Sequence, residues 1–122
     1  MTDSTGREAV DSFFDGLGKL GYDPMLRGVH GSILFDIAGA GRWLVGIADG
    51  AVTVRRSELV QADCVAEVDV PDFVKLVAGE LSVVTEYLQG RMKVRGNLGL
   101  GVVFRRLLPA PRRSAHATGI SV

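Results

Sequence analysis

Five segments of this chain alternate apolar and polar residues with a period of two, the spacing of a strand buried on one face. Ser32 to Ala38 places Ile33, Phe35 and Ile37 on one side, and Arg42 to Asp49 does the same with Trp43, Val45 and Ile47. Asp49-Gly50 marks a tight hairpin into Ala51 to Arg55, where Val52 and Val54 share a side. Asp63 to Val70 adds Cys64, Ala66, Val68 and Val70, and Arg91 to Arg95 adds Met92 and Val94. The opposite set is Asp36, Thr53, Arg55, Glu67, Asp69, Arg91, Lys93 and Arg95. The pattern predicts a mostly antiparallel sheet with one wet face and one covered face.

Helical segments must supply the cover. Residues 7–20 place Val10, Phe13, Phe14 and Leu17 at helical spacing, and Gly21 with Asp23-Pro24 ends the run. Pro71-Asp72 opens a helix with Phe73, Leu76 and Val77 on one face, closed by Gly79. Ser82 caps the next, with Val84, Tyr87 and Leu88 expected inward and Gly90 at its end. Asn97 caps the last, where Leu100, Val103, Phe104 and Leu107 follow i, i+3, i+4, i+7 and leave Arg105 and Arg106 outside. The fold class is therefore α+β, a five-stranded sheet with helices over one face. Residues 1–109 read as one domain and 110–122 as a flexible basic tail with too little apolar content to pack.

Within the last helix, Gly99 and Gly101 each cost about 1 kcal/mol relative to alanine. Either the helix backbone approaches the sheet closely there, or the helix is loosely seated. The covered face also mixes bulky Phe35, Trp43 and Phe104 with small Ala66 and Cys64, which suits a jigsaw core and an apolar cavity equally.

With 122 residues, 47% of them hydrophobic, the chain can bury a real core without metals or disulfides. The single cysteine, Cys64, fits a reducing compartment, and no apolar run approaches the roughly 18 residues of a membrane span. A cytoplasmic location is expected, since no secretory leader or peroxisomal tripeptide is seen. The net charge of zero conceals a segregation: all 14 acidic residues lie at or before Glu86, giving that part −7 and the remainder +7. Such asymmetry implies either pairing inside the fold or a polar contact surface.

Catalytic signals are weak. Gly16, Gly18 and Gly21 match a dinucleotide fingerprint in spelling, but no strand precedes them and no helix follows. His30 and His116 do not converge with Cys64 into a set of metal ligands, and Cys64 sits among apolar neighbours as a core thiol. Acid–base chemistry would fall to Asp72, Glu86 or Tyr87, which nothing in the sequence pairs. Basic residues 91–95 lack the interleaved aromatics of a nucleic-acid surface, and Glu67 and Asp69 are their simplest partners. No catalytic residue, cofactor, metal or nucleic-acid partner is expected.

Three stretches carry a resemblance: LRGVHGSILFDIAGAGRWLVGIADGAVTV (26–54), ADCVAEVDVPDFVKLVAGELS (62–82) and GRMKVRGNLGLGVVFRRLLP (90–109). Their order and spacing over residues 13–109 resemble the sterol-binding domain of the type-2 sterol carrier protein family. The chain has Gly96-Asn97 where that family often has Gly-Asp, and asparagine also caps a helix. The resemblance implies an apolar tunnel between sheet and helices that holds a sterol, fatty acid, fatty acyl-CoA or phospholipid without catalysing a reaction. Its walls would be Phe35, Trp43 and Val45 from strands, Phe73 and Val77 from the first covering helix, and Leu100, Val103 and Phe104 from the last. Val84, Leu88 and Met92, inward by their periodicity, complete the expected lipid-binding set.

Arg105, Arg106, Arg112 and Arg113 are the candidates for contact with an anionic membrane surface. Two other roles keep the fold but change the function. One is an accessory or scaffold subunit beside a lipid-metabolising enzyme; the other is a small lipid isomerase.

Overall fold

The computed structural model describes residues 2–59 and 61–107, with the backbone alone at 2–5, 102, 104 and 106. Helix α1 (Thr2–Leu20) begins five residues earlier than its apolar period, because its first turns are polar. It buries Val10, Phe14 and Leu17 over the sheet and against the next helix. A 3-10 turn at Pro24–Leu26 follows, capped by Asp23, whose side chain accepts from the Met25 amide at 2.9 Å.

The strands are β1 (His30–Ala38), β2 (Gly41–Ala48), β3 (Ala51–Arg56), β4 (Cys64–Asp69) and β5 (Lys93–Gly96), in the spatial order β3-β2-β1-β4-β5. Only the β1–β4 pair is parallel. Asp49 turns the β2–β3 hairpin at φ 51°, ahead of Gly50. The aligned rows Phe35–Trp43 and Phe35–Ala66 carry the covered face, with Phe35 fully buried and Trp43 nearly so. Helix α2 (Val70–Val77) is capped by Asp69, which accepts from the Asp72 amide at 3.1 Å, and Pro71 lies in its first turn. Helix α3 (Val83–Leu88) is capped by Ser82, and α4 (Leu98–Leu107) starts at Asn97, whose Oδ1 accepts from the Gly99 amide at 2.9 Å.

The expected wet face is only partly wet. Leu34 and Val65 point away from the helical cluster, yet they are 0% and 3% exposed. The explanation is the route from β3 to β4. Those strands are parallel and lie three positions apart, so the connection between them must cross β2 and β1. Helices occupy one face, which leaves the other for the crossing. The crossing is tied down at both ends: the Ser57 amide donates to the Arg42 carbonyl, and Asp63 Oδ2 accepts from the Ser32 amide at 2.9 Å.

The strap's far end also positions the last strand. Gly96, at φ 89°, packs so closely on the backbone of Asp63 that a side chain would collide with it. The Asn97 amide donates to the Asp63 carbonyl at 2.8 Å. Arg95 meets Glu67 at 2.7 Å diagonally across β4–β5, one of the two acidic partners expected for the basic residues of 91–95.

Candidate apolar binding site

Under the sheet, α1 and α2 close over a ring cluster. Phe14 stacks on Trp43 with centroids 4.7 Å apart and on Phe73 at 5.5 Å, and it leans on Phe35 at 5.4 Å. Phe13 meets Phe14 and Phe73 edge-on. Four expected wall residues, Phe35, Trp43, Val45 and Phe73, therefore lie in filled core at this end. Val77 packs on the same cluster half-buried. The implied tunnel is not found among the described residues; at the α1–α2 end aromatic rings occupy its place.

The other end of the covered face differs. Between α3, β5 and α4 runs a groove of about 270 Å³, lined by Val83, Val84, Tyr87, Val94, Leu98, Gly101 and Arg105. Its walls are almost entirely apolar, and among the described residues Arg105 is its one charged lining residue. Leu100, Val103 and Met92 are buried where α4 and the approach to β5 join the core. A Cβ on Gly101 would lie 3.1 Å from Val94 Cγ1, so the glycine lets α4 settle directly on β5. Close approach, not loose seating, accounts for that residue. A larger and more open cleft of about 790 Å³ between α1 and β3 has mixed walls: Phe14, Trp43, Val52 and Val54 line it together with Asp11, Asp15, Lys19, Arg55 and Arg56, so it is far more polar than the groove.

The expected phase of α3 is wrong. Val84 and Tyr87 are each 43% exposed and Leu88 is 75% exposed, while Glu86 is fully buried. A six-residue helix is too short for its own periodicity to decide its orientation, and the turn into β5 decides it. The amides of Arg91 and Met92 both donate to the Glu86 carbonyl, and Arg91 Nη1 reaches Glu86 Oε2 at 3.3 Å. This cation allows a carboxylate to take the inward position next to half-buried Val83. Val84 then becomes a groove wall, and Leu88 lies outside the groove lining. The side chains of Phe104 and Arg106, and all of Arg112 and Arg113, lie outside the described residues.

Burial, then the nearby Asp72 carboxyl, raises the pKa of Glu86, and Arg91 opposes the shift. Glu86 and Asp72 are thus brought together from two helices, a pairing no spacing in the sequence announced. Oε1 of Glu86 meets no hydrogen-bond donor among the described residues. Cys64 is fully buried and its thiol is pushed up by that burial, which keeps it protonated and inert. Among the described residues no three or more His, Cys, Asp or Glu side chains gather as a metal site. Nor is any described helix long and apolar enough to cross a membrane.

One mixed five-stranded sheet, with helices over its apolar face and an apolar groove at its edge, defines a two-layer α+β class of domain. The comparison with known families names it: residues 14–109 match the SCP-2 sterol transfer family, and the chain belongs to that family. A hydroxysteroid dehydrogenase-like protein 2 from Danio rerio is 26% identical over 102 residues, covering 81% of this chain and 25% of that protein. The crystal structure of sterol carrier protein 2 like 2 from Aedes aegypti superposes with a TM-score of 0.67 at 19% identity, covering 84% of this chain and 98% of that one. A stereoselective inverting sec-alkylsulfatase from Pseudomonas gives a TM-score of 0.66 at 23% identity, covering 80% of this chain and 16% of that one. This chain thus spans only a quarter of the dehydrogenase-like relative and nearly all of the insect carrier. The domain occurs both by itself and as a part of larger enzymes.

Proposed function

We propose that the chain is a non-catalytic carrier that holds the acyl part of a lipid in the groove between α3, β5 and α4. The observation that carries this reading is the composition of the groove: Val83, Val84, Tyr87, Val94 and Leu98 line it, with Arg105 the one cation among the described lining residues. Apolar walls with one polar terminus match an amphiphile whose chain lies inward and whose anionic head faces Arg105. A ten-carbon stretch would gain about 8 kcal/mol on burial before the costs of binding. A groove of about 270 Å³ has room for part of a flexible acyl chain and little for a rigid sterol ring system.

Titration with a fluorescent fatty acid, together with native mass spectrometry of co-purified lipid, tests it. Saturable one-to-one binding that a non-fluorescent fatty acid displaces is expected. A chain that purifies empty and shows no saturable signal would remove the carrier reading.

A second reading rests on the dehydrogenase-like and sulfatase neighbours: the domain serves as a lipid-presenting module for a lipid-metabolising enzyme. It differs in one measurable respect, since ligand exchange would then speed up when the enzyme is added. The isomerase alternative gains the raised Glu86 but loses on position, because that carboxyl does not line the groove.

A further inference from the structure

Building on the carrier reading, we infer that the groove measures acyl-chain length: it takes about ten carbons of one tail, and the contact of Gly101 with Val94 sets that limit. The ligand class is then a medium-chain fatty acid, or one medium-length tail of a larger lipid.

Leu98, Gly101 and Arg105, at i, i+3 and i+7, form the α4 wall of the groove. At about 1.5 Å of rise per residue they spread over roughly 10 Å, with the glycine between the leucine and the cation. Among the described lining residues Gly101 alone has no side chain. Its backbone is helical, a conformation in which alanine is favoured over glycine, so clearance and not conformation accounts for it. A Cβ there would stand 3.1 Å from Val94 Cγ1, tighter than ordinary contact. Val94 lines the groove as well, so an added methyl must push the valine or take space from the guest.

The volume converts this geometry into a chain length. An apolar cavity of about 150 Å³ holds benzene, which allows about 25 Å³ for each carbon. On that scale 270 Å³ takes about ten carbons. The lipid head lies at Arg105, which holds no ion pair among the described residues. From there the tail passes Gly101 and reaches Leu98, which is 53% exposed and begins α4, so the wall ends there. Each CH₂ kept inside raises affinity about fourfold, and each one that emerges returns to water and adds nothing. The cleft between α1 and β3 is open and carries charge along its walls, so it offers no such stop.

Calorimetric titration of the full chain with hexanoate, octanoate, decanoate, laurate and myristate, each below its micelle concentration, tests the inference. Affinity is expected to climb about fourfold per carbon as far as decanoate and then level off. Gly101→Ala should weaken decanoate about fourfold, the effect of one carbon expelled, and leave hexanoate, which does not fill the groove, unchanged. Val94→Ala frees the space of two methyl groups at the same contact and should carry the climb on to laurate. Combining the two substitutions should return decanoate to the affinity of the parent. The profile of the parent needs no variant, so it decides the matter even where Gly101→Ala does not fold.

A climb that continues through myristate would overturn the inference. So would Gly101→Ala weakening every chain alike, since the glycine would then serve the fold alone, or a double variant no better than Gly101→Ala. The carrier reading is scored separately by the same titrations. No saturable binding at any length defeats that reading, and saturable binding without a break defeats the length limit alone.

Discussion

Arg91 reaches Glu86 at 3.3 Å across the turn from α3 into β5, and this contact turns the inward face of a six-residue helix over to a carboxylate. The same rotation sends Val84 and Tyr87 to the groove. A single local ion pair therefore links the core to the candidate binding site.

The pH dependence of stability should report the buried carboxylate. The pKa of Glu86 is raised, so the folded chain holds a proton at pH values where the unfolded chain has lost it. Its contribution to stability is greatest below the ordinary value of 4.5 and falls as pH rises through the raised one. Glu86→Gln removes that dependence. Its melting temperature relative to the parent should rise steadily from pH 4.5 towards neutrality. Melts over that range that run parallel at every pH would show that the glutamate is not strained by burial.

Loss of the cation should be felt more simply. Arg91→Ala leaves Glu86 buried without its counter-charge, and Arg91 is itself about half exposed, so we expect a loss of about 1–2 kcal/mol. Adding Glu86→Leu should restore most of it, because an apolar residue needs no partner there. Urea unfolding of the single and double variants checks this, and an additive double variant would rule out the coupling.

The groove can be challenged without touching the core. Leu98 lines it yet is 53% exposed, and it stands in the first turn of α4, where a negative charge is tolerated. Leu98→Asp should lower affinity for a fluorescent fatty acid about tenfold or more, since a charge replaces a contact with the chain. The melting temperature should stay within about a degree or two of the parent. Unaltered affinity would move the ligand elsewhere.

At the opposite end, Phe14 is the centre of the ring cluster, touching Trp43, Phe73, Phe35 and Phe13. Phe14→Ala should destabilise the domain by about 3–5 kcal/mol. If that end is packed core, the cavity variant should bind a fatty acid as the parent does once folded at low temperature. A strengthened or displaced binding site, read by the same titration, would show instead that this end communicates with the groove.

Much of the fold was legible in the chain because its determinants are local. Period-two runs such as Ile33–Phe35–Ile37 and Trp43–Val45–Ile47 need only their own neighbours to become strands. Asp49-Gly50 is a turn in its own right, and Ser82 and Asn97 cap helices through bonds two or three residues long, whereas Asp69, expected on the wet face of a strand, turns out to cap α2. The buried set on the covered face followed directly, down to Cys64 and Ala66. The pairing of Arg95 with Glu67 was legible too, since it needs only that β4 and β5 be neighbours.

What the sequence determined by itself, then, was the list of elements and the face each strand buries, because periodicity and capping act within a few residues. Tertiary structure alone decided three things. It buried Leu34 and Val65 on the face away from the helices, where the connection from β3 to the parallel β4 has to cross the sheet. It turned Glu86 of α3 inward, because the turn into β5 closes on the Glu86 carbonyl and so short a helix has too little apolar period to decide its own orientation. And it placed the apolar groove at α3, β5 and α4 while Phe14, Trp43 and Phe73 stacked between α1, α2 and the sheet, because cavities are what packing leaves over, and packing depends on residues far apart in the chain.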